Sequence, residues 1–191
     1  MNYLTDAGAL LVNTLFGLLL GVLLLRIALQ ALRANFYNPI CQAVYKITNP
    51  VLMPLQRLVP VRRGLHWPAV VLAWLLALLW MWVLTAMRGA VPGPGALVLL
   101  GLAKLLDFSL VMTMLLIVLR ALLSLVGGGY DNPMLPVLAQ LTDPLLRPVQ
   151  RVLPSLGGFD LSPLVAILFI TLLRILVVRP LFDLAIGGGL S

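Results

Sequence analysis

The sequence predicts an all-α membrane protein: four transmembrane helices as two tandem parallel repeats, each with a pair of short Pro-started interfacial helices between its membrane helices. Three observations predict it. The apolar class holds 62% of the 191 residues and charged residues only 10%, where a soluble domain carries roughly 45–50% and about 25%. Apolar stretches long enough to cross a bilayer occur four times. The chain also matches itself at a shift of 94 residues. Six acids and thirteen bases cannot coat a soluble globule of this size. An ordinary soluble enzyme is excluded, and so is low-hydrophobicity disorder.

The first span is the cleanest. From Ala7 to Leu25 there are nineteen residues without a charge, enough for about 30 Å of hydrocarbon at helical rise. This run exceeds the typical apolar region of a signal peptide and no basic segment precedes it, so it reads as a retained helix. The second span runs from about 67 to 87, with Trp67, Trp74, Trp80 and Trp82 as candidate interfacial anchors. The third, about 97–126, is interrupted by Lys104, Asp107 and Arg120; the fourth, about 161–178, carries Arg174. The repeats accordingly divide the chain into residues 1–94 and 95–191.

Long loops separate the spans within each repeat, at 33–66 and 127–160. They carry seven bases, Arg33, Lys46, Arg57, Arg62, Arg63, Arg147 and Arg151, against Arg88, Lys104 and Arg179 on the other side. The positive-inside rule places both loops in the cytoplasm and both termini outside. The bases are scattered among apolar residues, so the net charge of +7 points to the lipid bilayer and its anionic headgroups as partner, with no nucleic acid contact expected.

The repeat is densest in these loops. Residues 38–60 align without a gap on 132–154, and nine of the twenty-three positions are identical. Asn38, Pro39, Thr48, Pro50, Pro54, Gln56, Arg57 and Pro60 fall on Asn132, Pro133, Thr142, Pro144, Pro148, Gln150, Arg151 and Pro154. The same shift sets Arg26 on Arg120 and Asn49 on Asp143. An Asx residue directly before proline is a helix start, because the side chain caps free N–H groups and proline fits the first helical position. Each loop therefore reads as two short amphipathic helices, within about 39–59 and 133–153, breaking at Asn49-Pro50 and Asp143-Pro144. Such helices suit the membrane interface, although a re-entrant dip is an alternative where other protein buries the freed backbone.

The doubled motif, with Asp160, Ser162 and Pro163 opening the last span, resembles the YggT (YlmG) family over the whole chain. The resemblance implies a small inner-membrane protein of bacteria, with relatives in chloroplasts. It also implies a link to osmotic and extracytoplasmic stress tolerance through ion (potassium) homeostasis. Division, nucleoid organisation or cytochrome assembly is the alternative setting. It supplies no catalytic residue, and the first repeat departs from the pattern with His66-Trp67-Pro68.

Individual residues are read against bland roles. Arg57 and Arg151 suit helix C-termini and lipid phosphate. Arg26, Arg120 and Arg174, read as membrane-end charges, are expected to snorkel to headgroups, while Lys104 and Asp107 are expected to pair on one helix. Asp160 and Ser162 are expected to cap the last span. One histidine and one cysteine, His66 and Cys41, cannot build a metal cluster or triad, and no glycine run forms a phosphate loop. The expectation is no cofactor, no metal and no enzyme activity, with a homo-oligomer or a membrane protein as partner.

Overall fold

The computed structural model describes residues 3–34, 37–56, 67–125, 132–152 and 160–187, all dominated by helix. In order these are α1 (Tyr3–Ala31), α2 (Pro39–Gln56), α3 (Trp67–Met87), α4 (Pro94–Leu125), α5 (Met134–Val152), α6 (Ser162–Leu173), a π-helical turn (Arg174–Val178) and α7 (Arg179–Gly187). Among the described residues four stretches are long and apolar enough to span a membrane: α1, α3, α4, and the continuous run Ser162–Gly187. The chain is a multi-pass membrane protein.

The 94-residue shift carries α1 onto α4, α2 onto α5 and α3 onto the C-terminal run. Local chemistry repeats with it. Asn38 Oδ1 accepts the Ile40 N–H at 2.9 Å, and Asn132 Oδ1 accepts the Met134 N–H at the same distance. These are the caps expected of an Asx-Pro start. Thr48 and Thr142 hydroxyls donate to the carbonyls of Val44 and Leu138, each at 2.7 Å.

The second Asx-Pro step of each loop does something else. Pro50 and Pro54 lie inside α2, and Pro144 and Pro148 inside α5, so each loop forms one helix where a pair was expected. Proline removes one backbone hydrogen bond and crowds the preceding turn. Here burial of Thr48 and Leu52 on one side of Asn49-Pro50, with Leu141, Thr142 and Leu146 around Asp143-Pro144, holds the chain helical through the step. The protein-facing side of α2 is Cys41, Val44, Thr48 and Leu52. Ile47 and Val51 point outward, so α2 presents apolar groups on both sides. Arg57, Pro60, Arg62, Arg63, His66 and Pro154 lie outside the described residues.

Among the described residues three small cores hold the bundle. Leu29, Ala34, Cys41, Val44, Val137 and Leu141 join α1 to both loop helices. Leu20, Leu23, Ala73, Ala77 and Trp80 join α1 to α3. Ile117, Leu146, Ala166 and Ile170 join α4, α5 and α6. Leu10, Leu18, Leu164, Leu168 and Leu176 stay outward, as a lipid-facing surface requires. Since lipid tails are as apolar as leucine, helix association depends on close packing by small residues. Ala69, Ala73 and Ala77 are fully buried along one stripe of α3, and Gly101 brings α4 against Leu78 so closely that a Cβ there would lie 3.2 Å from the Leu78 Cα.

The fourth span is longer than expected. Its helix passes Val178 and continues through Pro180 to Gly187. The Arg179 N–H reaches back to the Arg174 carbonyl, the five-residue step of a π turn. That wider turn lies directly before Pro180, where an ordinary α turn would meet the proline ring.

Candidate functional site

A charge inside a bilayer is expensive and is a functional candidate by default. Arg174, expected as a membrane-end charge, lies inside its span instead. Arg174 lies twelve residues from Ser162 and thirteen from Gly187, near the middle of its span. Its Nε donates to Asp107 Oδ1 at 2.7 Å across the α4–C-terminal interface. The expected Lys104–Asp107 pair is thereby replaced. The planar arginine fork from the facing helix offers Asp107 a directional donor, and Lys104 instead sets Nζ 3.9 Å from the centroid of the Trp80 ring.

Trp80 organises the layer above this pair. Expected at an interface, it is 2% exposed in the bundle centre, while Trp67 and Trp82 are exposed as anchors should be. Its indole N–H donates to Asn13 Oδ1 at 3.0 Å, and Phe108 meets its ring edge-on with centroids 5.6 Å apart. Asn13, Trp80, Lys104, Asp107 and Arg174 thus form a polar layer through α1, α3, α4 and the C-terminal span. Sequence reading missed Asn13 and the central place of Trp80. A signal existed: Asn13 is the lone amide in the charge-free stretch of α1, and an amide in hydrocarbon needs a partner.

Beside Arg174 opens a cavity of about 260 Å³ lined by Asp107, Thr171, Arg174, Val178, Arg179 and Phe182. The π turn starts at Arg174 itself, and such bulges recur at functional sites. The cluster of Lys104, Asp107, Arg174 and Arg179 carries one acid against three bases. Its field attracts anions and repels small cations.

At the other end of α4, Arg120 Nη1 donates to Asp143 Oδ1 at 2.6 Å and to the Thr142 hydroxyl at 2.7 Å. Arg147 adds a second ion pair to Asp143 at 2.7 Å, one helical turn on. Asp143 is therefore a bridge from α4 to α5, not the cap of a new helix. Burial works to raise its carboxyl pKa, but hydrogen bonds and charge from Arg120 and then Arg147 outweigh it and hold the group below the ordinary carboxylate value. A depressed folded-state value gives stability that is present above the unfolded pKa and lost as pH falls through the folded one. The thermal midpoint of the wild type is expected to drop as pH falls below about 4, and an Asp143→Asn variant, compared over the same pH series, to lose part of that acid slope.

Of the two expected caps only Asp160 meets the helix start: its Oδ1 accepts the Ser162 N–H at 2.8 Å and its Oδ2 accepts from Gln150 Nε2 at 2.8 Å, while Ser162 is already the first residue of α6 and the N-cap position is Leu161. Ser162 is buried and Pro163 sits in the first turn of α6. Arg151 is exposed at the end of α5, where it complements the helix dipole. Arg26 is the outlier. It is 4% exposed, and its guanidinium stacks 3.4 Å from the centroid of the Tyr45 ring. The two repeats meet through Asn38 Nδ2 donating to the Pro133 carbonyl at 2.6 Å and Gln140 Nε2 to the Leu32 carbonyl at 2.9 Å.

Comparison with known proteins fits this duplicated geometry. The CCB3/YggT family profile matches residues 5–87 and again 99–181. The chain belongs to the CCB3/YggT family. The second match starts 94 residues after the first (99 less 5), the same offset that aligns the loops. The chain is 37% identical over 173 residues to the uncharacterised protein YggT of Escherichia coli K12, covering 89% of this chain and 86% of that one. It is 39% identical over 157 residues to an uncharacterised protein of Vibrio alginolyticus encoded in the proC 3′ region, covering 81% and 84%. With an uncharacterised Pseudomonas aeruginosa protein it shares 35% over 180 residues, 93% and 91% of the two chains. No solved structure matches this CCB3/YggT chain.

Proposed function

We propose that this chain is a non-enzymatic protein of the bacterial inner membrane that supports osmotic and extracytoplasmic stress tolerance by regulating ion balance, potassium above all. The observation that carries this reading is the Asp107–Arg174 pair held mid-span beside Lys104. Charges held inside a span are expensive and mark a functional candidate by default. The excess of bases around the cavity opposes passage of potassium along this route. The chain therefore acts on a cation pathway formed with further copies or a partner, and does not conduct potassium through its own four spans. The seven-to-three distribution of bases supports cytoplasmic loops and external termini.

The test is potassium efflux from liposomes holding the purified protein alone. Efflux no faster than from empty vesicles is expected. Efflux well above that background overturns the regulatory reading in favour of a pathway within the protein itself. A scaffold for a membrane or division complex is the second reading. It is favoured by α2 and α5, which pack side by side through Cys41, Val44, Val137 and Leu141, are joined at their starts by Asn38–Pro133 and form a paired platform.

A further inference from the structure

The duplicated chain contains its own control experiment. In the second repeat, the arginine near the end of the first span meets a carboxylate, Arg120 to Asp143 at 2.6 Å. In the first repeat the equivalent arginine is Arg26, but the position equivalent to Asp143 is Asn49. The acid is gone while the arginine stays. Arg26 is also the more enclosed of the two, at 4% exposed, and its Nε and Nη1 are buried without a hydrogen-bond partner. The Tyr45 ring stacks on the guanidinium at 3.4 Å. A ring below the flat face attracts the charge but leaves the N–H groups, which point along the edges, unsatisfied.

A buried cation without an anion is among the most costly arrangements a fold can keep. Residues 1–94 hold a single acid, Asp6. It lies twenty residues from Arg26 on the same helix, about 30 Å at helical rise. No carboxylate of this repeat reaches the guanidinium.

We propose that Arg26 is the anchor of a phosphate site between α1 and α2, in which an anionic phosphate supplies to the first repeat the charge that Asp143 supplies to the second. Arginine is suited to this, because its fork matches a phosphate oxygen pair. Phosphate is favoured by position. Arg26 lies five residues before the end of α1, roughly 7 Å in helical rise, and α1 is longer than hydrocarbon requires. The guanidinium therefore stands at the depth where phospholipid headgroups lie.

The experiment uses the whole chain in a maltoside detergent, which contributes no phosphate. Dioleoyl phosphatidylglycerol and inorganic phosphate are added separately, and the thermal midpoint and the number of retained phosphate-bearing molecules (by native mass spectrometry) are measured. Wild type is expected to retain one and to gain roughly 5 °C at a hundredfold excess over Kd. A response to phosphatidylglycerol alone makes the source a lipid headgroup; an equal response to inorganic phosphate makes it the free ion. Asn49→Asp fills the site from within, so it should retain none and respond by less than about 1 °C. Asp143→Asn opens the mirrored site, so it should retain two. The Asn49→Asp and Asp143→Asn variants keep the arginines, so neither result depends on an Arg26 deletion that fails to fold. Equal retention and equal response in wild type and Asn49→Asp, or no retained phosphate in wild type, overturns the proposal and leaves Tyr45 as the whole answer to Arg26.

Discussion

Replacing Asp107 with leucine is expected to lower the thermal midpoint by roughly 6–12 °C. The change leaves Arg174 charged and unpaired mid-span. A charge left unpaired at the centre of a span costs about 3 kcal/mol, and for a chain of this length each kcal/mol shifts the midpoint by roughly 2–4 °C. Arg179 lines the same cavity, so with the acid gone Arg174 faces a second base in place of its partner. The companion Asp107→Leu/Arg174→Leu variant is expected to recover most of the stability, because replacing both partners of a buried pair by apolar groups is often neutral or better. Thermal unfolding in detergent, with the single and double variants side by side, measures both. A single variant as stable as wild type contradicts the pairing.

The second large effect belongs to the seam between the repeats. Gly101→Leu is expected to unfold the α3–α4 contact or to prevent the protein accumulating. Even a Cβ at this position would lie 2.5 Å from the Leu78 Cδ2, 2.8 Å from its Cγ and 3.2 Å from its Cα. The leucine tip can rotate, but the backbone cannot, so Gly101→Ala already costs about 1–3 kcal/mol. Gly8→Ala is the matched control. Its Cβ would meet only the Met87 Cε, at 2.7 Å, the far end of a flexible side chain. Alanine at Gly8 should be nearly silent and alanine at Gly101 should not; equal effects would mean that the close approach of α3 and α4 does not hold the bundle.

The elements were legible in the sequence where one local rule decides them. Charge-free length fixes α1 and α3, the 94-residue repeat fixes the pairing of elements, and Asn38 and Asn132 cap their helices as Asx-Pro requires. The sequence misled where tertiary partners outbid local preference. Asn49-Pro50 and Asp143-Pro144 look like helix starts, yet packing on Thr48, Leu52, Thr142 and Leu146 carries the helices through. Asp107 has a base three residues away on its own helix, and the chosen partner is Arg174, sixty-seven residues on. No spacing rule reveals a partner on another span. Arg26 differs again: the repeat alignment already shows Asn49 in place of the acid, but that loss gains meaning only once the structure shows how deeply the arginine is buried.

The central claim is that the Asp107–Arg174 pair works in ion balance and does more than hold two helices together. The apolar double variant separates these roles, because it keeps the packing and removes the charges. The measurement is cell potassium after a hyperosmotic shift, in a strain lacking the protein and supplied with wild type or with Asp107→Leu/Arg174→Leu at matched membrane levels. Wild type is expected to restore potassium retention and the double variant to leave the cells as leaky as the deletion. Full restoration by the double variant would contradict the claim and reduce the pair to a structural tie.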